Sequence, residues 1–267
     1  MVSCMAGPKE LPGSKYRERN STADRALDIL LLFRDDKLVW TGAEIADQLG
    51  VARSTGYRYL QSLVAAGFVE DGPGGFRLGP RIFDLARLAR SGTKLPDIAL
   101  PAMRTLADTV NETVLLTRRS GRFVVCLDRI EAPHAVRLSY DRGHVLPINA
   151  GAAAEVLLAW APPDEVAAVL AAGPLERFTP STLTDPAQLQ TRFARIRKDG
   201  IAVSHGELDE QILGVAAPIH NSRGAVIAAV SIAALASRIS RAELKDVKVA
   251  VSSAAAAISE QLDLIDM

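Results

Sequence analysis

Arg53, Ser54, Thr55, Tyr57, Arg58 and Gln61 crowd the stretch ARSTGYRYLQ with side chains suited to nucleic acid. Arginine forks onto guanine or phosphate, glutamine pairs with the adenine edge, and hydroxyls and free helix amides take phosphate oxygens. At a period of 3.6 residues, Ser54, Tyr57, Arg58 and Gln61 share the face opposite Leu60, Leu63 and Val64, and Arg53 and Thr55 flank its start. A polar helix face is usually just solvated, so a reading role depends on the elements around it.

The other reactive residues form no constellation. His134, His144, His205 and His220 lack HxxxH or HxH spacing, and Cys4 and Cys126 stand far apart with no CxxC pair, so no metal ion, zinc site or disulfide framework is expected. Glu207 and Asp209 in HGELDE can be an acid/base pair, or can brace the following strand or line a pocket mouth. The chain carries no GxSxG elbow, P-loop or GxGxxG after a strand. No catalytic residue and no cofactor are assigned.

The elements that would hold the polar face are legible. Ser21 caps a helix reaching about Arg34, with Ala26, Leu27, Leu30 and Leu31 as its apolar stripe. Thr41-Gly-Ala-Glu44 is a capping box opening a second helix, with Ile45, Ala46 and Leu49 facing one way. Gly50 suits a left-handed exit, leaving only Val51 and Ala52 before the third helix, which Gly67 ends. Gly56 inside that helix costs about 1 kcal/mol against alanine, which points to a close packing contact there. Phe68-Val-Glu and Phe76-Arg-Leu flank Asp71-Gly-Pro-Gly-Gly75 as a hairpin, and Pro80 opens a helix to about Arg90 with Ile82, Leu85, Ala86 and Ala89 as its stripe. Helix, tight turn, helix and ribbon make a winged helix-turn-helix, whose second helix enters the major groove; Arg77 in the ribbon can reach the adjacent backbone or minor groove.

Beyond Ser91-Gly-Thr-Lys94 helices and strands mix: helices over 95–110, 150–160, 164–171, 186–198 and 240–263, and strands over 112–119, 123–130, 135–139, 212–219 and 225–232. The last two strands are almost continuously apolar, which predicts an antiparallel α+β domain with a sheet covered on both faces. At 267 residues, 48% of them hydrophobic, the chain suits roughly two domains. Residues 1–95 carry 14 Lys+Arg against 11 Asp+Glu, or +3, and the remainder 17 against 20, or −3: a basic head on an acidic body. The Pro-, Gly- and Ser-rich start reads as a disordered lead-in without signal character, and no apolar run reaches the ~20 residues of a membrane span, so a cytoplasmic protein is expected.

The segments ARSTGYRYLQSLVAAGFVE and FRLGPRIFDLA resemble the DNA-binding half of the IclR family of bacterial transcriptional regulators. NETVLLTRRSGRFVVCLDRIEAPHAVRL, LPINAGAAAEVLLAW and IRKDGIAVSHGELDEQILGVAAPIHNSRGAVIAAVSIAALASRIS are similar to successive parts of its effector-binding half. The resemblance implies a lead-in over 1–20, a winged head over 21–79, a linker helix over 80–94 and a GAF-like effector domain over 95–267. It implies a homodimer or dimer of dimers on double-stranded DNA, responding to a small effector such as a catabolic metabolite. The stripe on residues 81–90 is then either a candidate dimer seam or simple packing on its own head.

Matched segment by segment, the family's effector pocket falls on Leu138, Ala152, Ala153, Ser204, Gly214, Ser231 and Ala233. Amides of the loop 149–154 and the two serine hydroxyls would hold a small carboxylate or similar polar group. Two residues depart from the family pattern. Ala154-Glu155 stands where Gly-Lys is usual, so Glu155 either faces the pocket and disfavours anions or is a solvated helix residue. Ala233 replaces a serine, which implies a different ligand specificity. The rival reading is an enzyme built on the second domain with the first as a dimerisation unit; another is a sensing adaptor whose heads bind a protein.

Overall fold

The computed structural model describes residues 21–34, 36–91, 94–134 and 140–265. The lead-in, the strand expected over 135–139 and Leu138 lie outside the described residues. The chain divides into two compact units, with the break between Lys94 and Leu95.

The first unit contains α1 (Ser21–Leu30), α2 (Gly42–Leu49), α3 (Arg53–Ala65), the hairpin β1 (Val69–Gly72) and β2 (Gly75–Leu78), and α4 (Arg81–Ser91). Thr41 and Glu44 close the expected capping box: the Glu44 amide donates to Thr41 Oγ1 at 3.2 Å, and the Thr41 amide donates to Glu44 Oε2 at 2.8 Å. The Lys37 ammonium, 2.7 Å from Glu44, together with the Thr41 donors, holds the Glu44 carboxyl down to about 2. Gly50 leaves α2 through the left-handed region, φ 63°. The close contact at Gly56 is real: a Cβ there would lie 3.1 Å from the Ala46 Cβ, so the missing side chain sets how tightly α2 and α3 cross.

Three expectations shift. The first helix stops at Leu30, with Leu31 and Leu32 already in a turn. Its buried member is Ile29, whereas Leu27 and Leu31 are exposed. In α3 the buried row is Gly56, Tyr59, Leu60 and Leu63, rotated away from Val64, which is exposed. In α3 the cause is the crossing at Ala46 and Gly56, which sets the roll of that helix, and a tyrosine body packs as well as a valine; in α1 the side that enters the head core is the one carrying Ile29.

The second unit is a six-stranded antiparallel sheet in the order β5-β4-β3-β8-β7-β6. Its strands are β3 (Thr113–Ser120), β4 (Phe123–Ile130), β5 (Val145–Pro147), β6 (Ala202–His205), β7 (Ile212–His220) and β8 (Val226–Leu235). The two short edge strands β5 and β6 carry too few residues to show a period. Helices α5 (Leu95–Val110) and α9 (Glu243–Ile265) cover one face, through a core including Met103, Leu116, Val215, Val230 and Ile258. Helices α6 (Ala152–Ala159), α7 (Pro163–Ala171) and α8 (Pro186–Asp199) cover the other, through Val156, Leu158, Leu170, Phe193 and Ala216. The sheet is therefore buried on both sides, as its apolar strands require.

Candidate functional site: a reading helix and a cavity

Arg53, Ser54, Tyr57, Arg58 and Gln61 are exposed along α3, and Thr55 is half-buried. Helix α2 is capped by a side chain, but α3 is not: Ala52 at its N-cap offers no side-chain hydrogen bond and its first turn holds no acid. Amide groups at that end, with two arginines and two hydroxyls beside them, form a positive surface suited to phosphate. Tyr57 is 46% exposed and has a second job. Its ring covers Gly42, where a Cβ would come within 2.5 Å of the ring carbon Cζ, and meets Phe76 edge-on at 6.2 Å. It ties the reading helix to the start of α2 and to the hairpin. Arg77 is exposed but paired, its Nε 2.6 Å from Glu70 in the directly opposite register.

In the second unit Ser204, Gly214 and Ala233 are consecutive cross-strand partners on β6, β7 and β8, and Ser231 sits two residues from Ala233 on the same face, opposite Leu115. The start of α6 lies over this row. A Cβ on Gly214 would fall 2.7 Å from Ser204 Oγ and 3.4 Å from the Ala152 Cβ, so only glycine lets helix and strand approach here. The Ala152 amide donates to Ser204 Oγ at 3.0 Å, leaving that hydroxyl's proton to point elsewhere. Between them lies a cavity of about 60 Å³ lined by Ala152, Ala153, Ser204, Gly214, Ser231 and Ala233, together with Leu115, Tyr140, Ile212 and Glu207. Six of the seven residues matched to the effector pocket thus surround one space; the seventh, Leu138, lies outside the described residues.

Glu155 is not a solvated helix residue. It is 1% exposed, and both its carboxylate oxygens accept from Arg192 Nη1, at 2.9 and 3.2 Å. The same nitrogen donates to Glu207 Oε1 at 3.0 Å, and Glu207 Oε2 takes the Gly151 amide at 3.4 Å. Two buried carboxylates share one guanidinium. Burial, then repulsion by Glu207, pushes the Glu155 carboxyl up to about 8 against the pull of Arg192. Burial disfavours the Arg192 charge, but the two carboxylates outweigh it and hold that guanidinium above its ordinary range.

The sign of the resulting pH dependence follows directly. Between about 4.5 and about 8 the folded chain keeps a proton on Glu155 that the unfolded chain has lost. The stabilisation is complete below that window and is lost as pH rises through it. Glu112, pushed up by burial against the nearby Arg238 and His134, adds the same sign. Calorimetric melting of the Glu155→Gln chain is therefore expected to show a flatter fall in Tm from pH 5 to 8 than the unsubstituted chain; an unchanged slope refutes the assignment.

Arg192 and Glu207 are the residues sequence reasoning missed or placed loosely. Glu207 pairs across space with Glu155 rather than with Asp209, whose Oδ1 instead accepts the Gln211 amide at 3.0 Å. The histidines stay apart: His134 Nε2 lies 2.7 Å from the Asn111 carbonyl oxygen, His144 meets Tyr140 edge-on, His220 meets Trp160, and His205 is exposed on β6. Cys126 is buried, and that burial pushes its thiol up to about 11.

Residues 22–73 match the model of the IclR helix-turn-helix domain, and residues 89–260 that of the bacterial transcriptional regulator IclR C-terminal domain. The chain is 30% identical over 244 residues to the HTH-type transcriptional regulator XynR of Escherichia coli K12, covering 90% of this chain and 96% of that one. It is 35% identical over 245 residues to the HTH-type transcriptional regulator BhcR of Paracoccus denitrificans, covering 88% and 85%. An IclR homologue of Microbacterium hydrocarbonoxydans, solved in complex with 4-hydroxybenzoate, superposes with a TM-score of 0.75 at 29% identity, covering 90% of this chain and 98% of that one. Among the described residues no helix is long and apolar enough to cross a membrane. With both halves matched in order and a winged head followed by a cavity-bearing antiparallel domain, the chain belongs to the IclR family of transcriptional regulators, DNA-binding at its N-terminal domain and ligand-binding at its C-terminal one.

Proposed function

We propose that the protein is a cytoplasmic regulator that grips a two-fold operator as a homodimer, or as a dimer of dimers, and changes its grip when a small catabolic metabolite fills the second domain. The observation that carries the first half is the uncapped, acid-free N-terminus of α3, with Arg53, Ser54, Tyr57, Arg58 and Gln61 exposed around it and Thr55 half-buried. Arg77 would add a backbone contact once it releases Glu70. One helix touches too few bases for useful specificity, whereas two held about 34 Å apart read successive major grooves. Leu27 on α1 and Leu31 just after it, with Phe83, Leu85 and Leu88 on α4, are large apolar side chains left exposed in the head, and they support pairing there. This seam differs from the stripe expected on α4, of which Ile82 is half-buried and Leu85 alone is a large exposed side chain.

Ala152, Ala153, Ser204, Gly214, Ser231 and Ala233 would hold the effector. The ligand acts by differing affinity for two arrangements of the heads. A mobility-shift assay on DNA upstream of the protein's own gene tests the reading: a salt-sensitive, sequence-preferring shift is expected, and none under any condition refutes it. In that assay Arg58→Ala is expected to weaken operator binding by about 1–3 kcal/mol and random DNA far less. An equal loss on both would move Arg58 from bases to phosphate. Ser231→Leu should fill the cavity and blunt any ligand response with operator binding intact; a retained response displaces the pocket assignment.

A further inference from the structure

Resting on that reading of the cavity as the effector site, we propose that it selects small uncharged molecules that present a hydrogen-bond donor to Glu207, and turns carboxylates away. Two of the amides that would hold an anion are engaged by the protein itself. The Gly151 amide faces Glu207 Oε2 at 3.4 Å, and the Ala152 amide is bound by Ser204 Oγ at 3.0 Å. Arg192, the cation paired with Glu207, does not line the cavity; it bridges on to Glu155, so the negative end of the ion pair faces the ligand. Among the described lining residues there is no lysine, arginine or histidine, and Glu207 is the one acid.

The start of α6 pulls the other way, since a helix N-terminus favours an anion by a few-fold to about tenfold. A second carboxylate brought to about 5 Å from Glu207 is repelled by roughly a hundredfold at the effective dielectric of a partly buried site. Arg192, 3.0 Å from Glu207, takes back part of that repulsion, and what tips the balance is that a carboxylate brings no donor for Glu207 whereas an amide does. A donor is bound well instead: Glu207 accepts from it, and the Ser204 and Ser231 hydroxyls can each give or take a further bond. At about 60 Å³ the space admits a group of only a few heavy atoms.

Carboxamides and carboxylates of equal shape separate the two cases. Acetamide and propanamide, against acetate and propanoate at matched ionic strength and pH 7, are titrated into the full chain and followed by thermal shift and ligand-observed NMR. The amides are expected to bind at least about tenfold more tightly, Ser231→Leu to abolish that binding, and Glu207→Gln to bring the two classes within about twofold. Carboxylates binding more tightly than amides, with the binding lost in Ser231→Leu, would overturn the ligand class and leave the cavity as effector site. If neither class binds, or Ser231→Leu changes nothing, the cavity reading fails and the inference with it. The ranking on the unsubstituted chain decides the matter even if Glu207→Gln does not fold.

Discussion

Arg192→Ala is expected to destabilise the second domain by about 3–5 kcal/mol, because it strands buried carboxylates without their cation. For a domain of this size that corresponds to a fall in Tm of roughly 10 °C by calorimetry. The guanidinium is partly open to solvent, but its partners Glu155 and Glu207 are not, and the cost sits with them. Adding Glu207→Gln to Arg192→Ala should recover part of the loss at pH 7, since Glu155 already keeps its proton there and Glu207 is the acid left charged. A loss below about 1 kcal/mol would instead class the triad with ordinary surface ion pairs.

Gly75→Ala is expected to be nearly as damaging in the head. Gly75 sits at φ 138°, and a Cβ there would lie 2.4 Å from the Trp40 carbonyl oxygen and 2.8 Å from its carbon. Both are backbone atoms, so no rotamer change relieves the clash. The hairpin must move off residue 40 and lose the pair of bonds that fix it, Trp40 amide to Phe76 oxygen at 2.9 Å and Phe76 amide to Trp40 oxygen at 2.7 Å. Strain of about 1–3 kcal/mol adds to about 1 kcal/mol for each bond. Phe76 would also withdraw from Tyr57, releasing the reading helix, so operator affinity should fall at least tenfold in a mobility-shift titration. Gly74→Ala is the control: its φ is 88°, but nothing lies within 4 Å of the added carbon. Only backbone strain of about 1 kcal/mol is expected there, with operator binding kept. Equal behaviour of the two variants would show that contact with residue 40 does not position the hairpin.

The head was legible because its signals are local. A capping box, a left-handed glycine and a tight turn each act within a few residues, so Thr41, Glu44 and Gly50 declare themselves without tertiary knowledge. The roll of each helix is not local. Tyr59 is inside and Val64 outside because of a crossing set at Gly56, and Ile29 is inside with Leu27 and Leu31 outside by packing that periodicity alone does not fix. In the second domain the cavity row was reached through family resemblance, since a cross-strand register such as Ser204, Gly214 and Ala233 leaves no mark in linear sequence.

The ion triad left two marks that were passed over. Arg192 stands in phase with Leu189, Phe193 and Ile196, the buried stripe of α8, which is no place for a solvated arginine. Glu155 lies within an eight-residue helix that is otherwise alanine, valine and leucine on every side, and such a helix is buried all round. Read together, an acid and a base on two buried faces could have been matched. Glu207 could not, because its place against Gly151 depends on how the loop after β6 turns.

The central claim, that α3 reads a duplex as one half of a two-fold pair, is tested most directly by hydroxyl-radical footprinting of the full chain on the DNA upstream of its gene. The expected result is two protected patches about one helical turn apart, on one face of the duplex, both needing at least about fivefold more protein in Arg58→Ala. A single patch, uniform protection along the fragment, or a footprint that forms at the same protein concentration in Arg58→Ala would contradict it.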